Sequence, residues 1–137
     1  AFLFAQCKGR DLWESKVLLP HLLVQACLCG SCVLVPFAPS SLELKLILII
    51  SAVAHGCLAV WEAMRKHKTT NAQQAAAFLR SMRFGRLEAI VHGVIVAGVL
   101  TVIVTLTLPQ IAFVLVLLSL FAYESAFVRA AQLPPLS

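Results

Sequence analysis

Apolar residues run through this chain in four long blocks, Val17 to Pro36, Leu42 to Trp61, Leu87 to Leu108 and Ile111 to Ala131, parted by polar links. Each block has about the 20 residues that a helix rising 1.5 Å per residue needs to cross a hydrocarbon core of about 30 Å. Strand-type alternation is missing, which argues against a membrane barrel and leaves a helix bundle, the other architecture that satisfies its backbone groups in lipid. The pattern predicts an all-α integral membrane protein: a four-helix transmembrane bundle with spans at 17–36, 42–65, 87–108 and 110–131. Residues 1–16 read as the end of a preceding helix and a cytoplasmic turn, 66–86 as a cytoplasmic loop, and 132–137 as a tail.

The cationic residues orient this bundle. Lys8, Arg10, Lys16, Arg65, Lys66, Lys68, Arg80, Arg83, Arg86 and Arg129 fall on one side, and Lys45 alone falls on the other. By the positive-inside rule the rich side is cytoplasmic, so both ends of the chain face inward. The links "VPFAPSSLELK" and "LTLPQ" then face outward, and the shortness of the second predicts a tight antiparallel hairpin of the last two spans.

The loop "RKHKTTNAQQAAAFLRSMRFGR" has a pattern of its own. Thr70 is placed to cap a helix, with Gln73 as its capping-box partner. Ala75, Phe78, Leu79 and Met82 follow at helical spacing. This predicts a short amphipathic interfacial helix on the inner membrane face, with Arg80, Arg83 and Arg86 meeting lipid phosphates. A solvated basic linker is the alternative.

Composition agrees with lipid as the main solvent: 12% of residues are charged, against about 25% in ordinary soluble domains. The net charge of +5 is explained by the basic loops, and no nucleic-acid partner is expected. Five cysteines, four of them inside apolar blocks, argue against a disulfide framework. The run "CLCGSC" resembles a metal-ligand cluster, but Cys27 and Cys29 point to nearly opposite faces of a helix. Close helix packing is the expected role for these small residues and for Gly93 and Gly98. No metal site is expected, and no P-loop, dinucleotide fingerprint or nucleophile triad is present.

Ionisable groups within spans are expensive and default to function. The first span carries His21 and Gln25, four apart on one face. The second carries Ser51, His55 and Glu62 within an arc of roughly 40°. The third carries Glu88 and His92, and the fourth Tyr123 and Glu124. His21, Glu62, His92 and Glu124 each lie roughly one or two turns from the cytoplasmic end, and His55 lies deeper. His55, Glu62, His21, His92 and Glu124 are therefore candidates for proton transfer or for holding a quinone headgroup. The bland alternatives are interhelical hydrogen bonds for the histidines and interfacial pairing of Glu62 with Arg65 or of Glu88 with Arg86.

Several short stretches resemble the NrfD/polysulfide-reductase family of membrane subunits. In "AFLFAQCKGRDLWESKVLLPHLLVQACLCGS", Arg10, Trp13, Leu19, Pro20 and Gly30 match a basic, Trp-containing cytoplasmic turn followed by a Leu-Pro helix start. "HKTTNAQQAAAFLRSMRFGR" looks like the loop before that family's penultimate helix. The ending "VRAAQLPPLS" is similar to the "AGQ-x-PLS" ending of alternative complex III members, with Ala131 where Gly is usual. The resemblance is to the C-terminal half of the family, whose members have eight to ten spans, so a fragment or a split subunit is expected.

The resemblance implies a subunit that is not catalytic alone and works in a quinol-linked respiratory oxidoreductase of a bacterial inner membrane. It implies iron–sulfur partners, molybdopterin-type or cytochrome c subunits, and another membrane subunit or N-terminal half. It implies quinol as substrate and no cofactor bound by this chain. Two other expectations stand beside it. One is a b-type cytochrome with haem held between His21 and His92. The other is a purely structural anchor.

Overall fold

The computed structural model describes residues 13, 15–67, 69–81, 83–84 and 87–132, with side chains given outside 81–92. Among the described residues there are five α-helices: α1 (Leu18–Leu34), α2 (Leu42–Met64), α3 (Thr70–Ser81), α4 (Ala89–Thr107) and α5 (Ala112–Gln132). Single 3-10 turns, Val35–Phe37 and Pro109–Ile111, stand at the two links at the far end of the bundle. Three segments, Leu18–Phe37, Leu42–Met64 and Pro109–Gln132, are long and apolar enough to cross a membrane, as in a multi-pass membrane protein. A shorter apolar stretch, Gly93–Thr107, belongs to α4. The sequence places the start of that span at Leu87, but Leu87 and Glu88 form a short strand, β2. It pairs antiparallel with β1 (Arg83–Phe84), Arg83 opposite Glu88 and Phe84 opposite Leu87.

Local chemistry sets the helix ends. Ser15 Oγ accepts from Val17 N at 3.2 Å, and its carbonyl accepts from Leu18 N at 3.0 Å, which starts α1. Pro20 sits in the first turn, where its missing N–H costs nothing. Ser41 caps α2 by accepting from Leu44 N at 3.3 Å, and Glu43 adds a carboxylate to the first turn, where it complements the helix dipole. Pro36 and Pro109 lie in the 3-10 turns, compatible with proline at the start of a tight helical turn.

The four long helices close into a ring in the order α1–α2–α4–α5, each packed on its two neighbours. Polar and apolar positions are sorted as lipid requires. His21, Gln25, Ser51, His55, Glu62, Thr101 and Thr105 are buried, while Leu23, Ile50, Ile103, Leu118 and Phe121 lie on the outside. In water such a surface would aggregate. In lipid it loses nothing, and the polar groups inside find partners. Two apolar clusters fill the two ends of the bundle. One joins Trp13, Leu18, Ala59, Leu79, Tyr123 and Phe127; the other joins Leu28, Cys32, Val35, Leu48, Ala112 and Val116 near the 3-10 turns.

The amphipathic helix forms, but its apolar face is covered by protein. Ala72, Ala75, Ala76 and Leu79 are buried, and α3 packs across the ends of α2 and α5. Its cap also differs from the expected one. Thr69 Oγ1, rather than Thr70, accepts from Ala72 N at 3.2 Å. Gln73 does not close a capping box with Thr70; its side chain donates to the His67 carbonyl at 3.0 Å. Gly30, Gly93 and Gly98 face open space, and Gly56 alone of the four described helix glycines meets a neighbouring helix, at 3.8 Å from Val94 Cγ1. The expected close packing at Gly93 and Gly98 therefore does not occur among the described residues.

Candidate functional site

The register between α1 and α2 decides which polar groups meet. Ser15 and Glu62 lie at one level, joined by a 3.1 Å hydrogen bond from Ser15 Oγ to Glu62 Oε2. His21 is six residues beyond Ser15, and His55 is seven residues before Glu62. At 1.5 Å per residue both travel about 9–10 Å along antiparallel helices. They therefore arrive at the same depth, one from each direction.

There the two imidazoles meet directly. His21 Nε2 lies 2.8 Å from His55 Nδ1, with both residues buried. The ring of Tyr123, from α5, stands 5.4 Å from the His21 ring and 5.0 Å from the His55 ring, edge-on to the latter. Tyr123 also stacks on Phe127 at 6.0 Å. Helices α2 and α5 are diagonal in the ring, so the His55–Tyr123 contact crosses the centre of the bundle. One bond between two imidazoles needs a proton on one facing nitrogen and a lone pair on the other. Either ring can be the donor, and moving the shared proton exchanges the roles. Both facing nitrogens cannot carry protons together without losing the bond.

Glu124 follows Tyr123 on α5 and accepts a short hydrogen bond from Gln25 Nε2 on α1. Gln25 is one turn from His21 on the same face. The polar layer therefore spans three helices, with Gln25–Glu124 beside His21–His55–Tyr123. The nearby hydroxyls stay out of it: Thr105 donates to the Thr101 carbonyl and Ser31 to the Leu28 carbonyl, each within its own helix.

Glu62 forms a separate site near the end of α2. Its Oε1 accepts from Arg65 Nη2 at 3.0 Å, and Arg65 Nη2 also donates to Ser15 Oγ at 2.7 Å. The Glu62 side chain is 4% exposed and that of Arg65 is 28% exposed. Their pairing is the interfacial alternative raised by the sequence. His67 Nε2 lies 3.0 Å from the Glu62 carbonyl oxygen, tying the chain that leaves α2 back onto the helix.

The remaining candidates fall elsewhere. His92 lies in α4, in the part whose side chains fall outside the described residues, as does that of Arg83; Arg86 itself lies outside the described residues. Arg80 Nη1 donates to the Ala63 carbonyl at 2.7 Å, satisfying one of the orphan carbonyls at the end of α2. Cys27 and Cys57 are exposed and Cys32 is buried. Among the described residues, no three His, Cys, Asp or Glu side chains gather where they would hold a metal ion.

Tyr123 and Gln25 are part of the layer, although the sequence marks them only as polar residues within spans. The i, i+4 spacing of His21 and Gln25 is the signal for the second. For Tyr123 the sequence carries no signal beyond its position beside Glu124. No family model matches the chain, and no curated protein or solved structure matches it either.

Proposed function

We propose that this chain is a proton-transferring membrane subunit, or the C-terminal half of one, in a quinol-linked respiratory oxidoreductase of a bacterial inner membrane. All four long helices cross the membrane, with the end carrying Arg65 and Arg80 cytoplasmic. The observation that carries the proton-transfer part is the buried 2.8 Å contact between His21 and His55. Histidine is the side chain whose ordinary titration range includes neutral pH, and an imidazole pair passes a proton by exchanging donor and acceptor. Tyr123 packs this pair in place, and Glu124 with Gln25 offers a second titratable stop beside it. The quinol link rests on the resemblance of the loop and terminal motifs. Quinol oxidation releases protons, and a subunit with an internal relay has work to do in such a complex.

The chain does not act alone in this reading. Iron–sulfur subunits, with molybdopterin-type or cytochrome c partners, carry the electrons. Haem ligation by His21 through Nε2 would compete with its 2.8 Å contact to His55 Nδ1.

The test is purification of the tagged chain from its native membrane with its partners, followed by quinol turnover in the purified assembly. The proposal expects iron–sulfur subunits in the assembly and quinol-dependent electron transfer. An assembly with no redox subunit, or one indifferent to quinol, contradicts the quinol link.

A second reading, the structural anchor, is favoured by one observation: Glu62 and Glu124 each already hold a hydrogen-bond partner. Under it these bonds serve only to join helices, and replacing His55 changes stability while leaving proton transfer unchanged.

A further inference from the structure

The outer surface carries a groove between α2 and α4, of about 640 Å³ and lined almost wholly by apolar groups. Gly56, Cys57 and Trp61 form one wall, Val94 and Gly98 the other, and Arg65 stands at one end. Along α2 it runs from Ala52 to Arg65, about 20 Å at 1.5 Å per residue. That is the depth of one leaflet: half of the hydrocarbon core, about 15 Å, plus part of the interface. Gly98 keeps the groove open, since a Cβ there would meet no atom within 4 Å.

The cationic end is partly open. Arg65 Nη2 donates to Glu62 and Ser15 and its Nε is enclosed, but 28% of the side chain stays exposed. Lys66 is next in the chain and exposed. An apolar trough of one-leaflet length, ending in a partly exposed guanidinium with an exposed ammonium next in the chain, complements a lipid with an anionic headgroup. A transmembrane partner helix would instead need a seam along the full core of about 30 Å, and this groove stops at Ala52.

We propose that the α2–α4 groove is a specific site for an anionic glycerophospholipid, one acyl chain lying against Gly56 and Gly98 and the phosphate meeting Arg65 and Lys66. This site is independent of the histidine layer, and it stands whether or not the chain transfers protons.

The probes are phosphatidylglycerol and phosphatidylcholine, added to the delipidated full chain in detergent and read by native mass spectrometry. One phosphatidylglycerol is expected to bind roughly tenfold more tightly than phosphatidylcholine, since each cation near an anionic headgroup contributes on the order of fivefold and Glu62 offsets part of it. Gly98→Leu, whose Cβ meets open space and whose side chain would take up the groove, is expected to abolish the bound lipid while leaving the helical circular-dichroism spectrum unchanged. Lys66→Gln keeps the trough and is expected to lose most of the headgroup preference. Equal binding of the two lipids overturns the proposal, as does undiminished phosphatidylglycerol binding by Gly98→Leu. So does cross-linking of the exposed Cys57 to a protein partner in the native membrane, because that would give the groove to a helix.

Discussion

His21 Nε2 lies 2.8 Å from His55 Nδ1 at the centre of the helix ring, in a layer where both residues are buried. Each ring supplies the partner that the other needs. Replacing one leaves a buried nitrogen unsatisfied, a cost of about 1–3 kcal/mol, whereas removing both removes the need. His21→Leu and His55→Leu are therefore expected each to destabilise the chain, and the double variant to lose less than the sum. A double-mutant cycle from unfolding in bicelles reads this coupling. Strict additivity would mean that the two rings do not interact.

Glu62 and Arg65 should prove unequal partners. Glu62 is almost fully enclosed, while Arg65 keeps part of its side chain in solvent. Removing Arg65 leaves the enclosed carboxylate with Ser15 in place of its cation, whereas removing Glu62 leaves a guanidinium that still reaches solvent. Arg65→Ala is expected to cost about 1–3 kcal/mol and Glu62→Ala about 1 kcal/mol, after allowing for solvent screening at Arg65. Thermal unfolding in detergent orders the variants, and a Glu62→Ala loss exceeding that of Arg65→Ala would contradict this arrangement.

The start of α3 gives a clean comparison of neighbouring threonines. Thr69 Oγ1 accepts from Ala72 N, and Thr70 is already the first helical residue. Thr69→Ala is expected to cost about 0.5–2 kcal/mol, in the range of lost N-caps, and Thr70→Ala a few tenths or less. Amide exchange of Ala72 and Gln73 should rise in the first variant and not in the second.

Arg80 anchors the same helix at its other end. Its bond to the Ala63 carbonyl holds α3 against the terminus of α2. Arg80→Ala is expected to cost about 1 kcal/mol and to speed proteolysis within residues 66–86. Leu79→Ala, which empties a fully buried position, is expected to cost about 2–5 kcal/mol. If α3 instead floated on lipid, neither change would alter the stability of the bundle.

The long helices were legible because lipid imposes a length: each of the four predicted spans matches a helix to within about two residues at its ends. The one at 87–108 starts two residues early, because Leu87 and Glu88 are apolar-block neighbours in sequence but pair with Phe84 and Arg83 as short antiparallel strands. The amphipathic period of α3 was also readable. Periodicity reveals an apolar face, however, and does not say whether lipid or protein covers it. The histidine pairing was hidden for a geometric reason. Counting turns from span ends set His55 deeper than His21, but Ser15, outside α1, already lies level with Glu62 in α2. Trp13, ahead of α1, is tucked into the bundle in one cluster with Leu18, Ala59 and Phe127. That shift of register brings His21 down to His55, and no local sequence feature announces it.

Proton transfer through the histidine layer is tested most directly in liposomes containing the chain with its native partners. Quinol turnover is started, and proton movement across the liposome membrane is followed with a pH-sensitive dye. With His55→Gln, and separately His21→Gln, proton movement per turnover is expected to fall on the order of a hundredfold, the scale of losing a positioned proton-transfer group. The assembly should still form and the helices remain intact. Undiminished proton movement in both folded variants would contradict the account and leave His21 and His55 as a bond between helices.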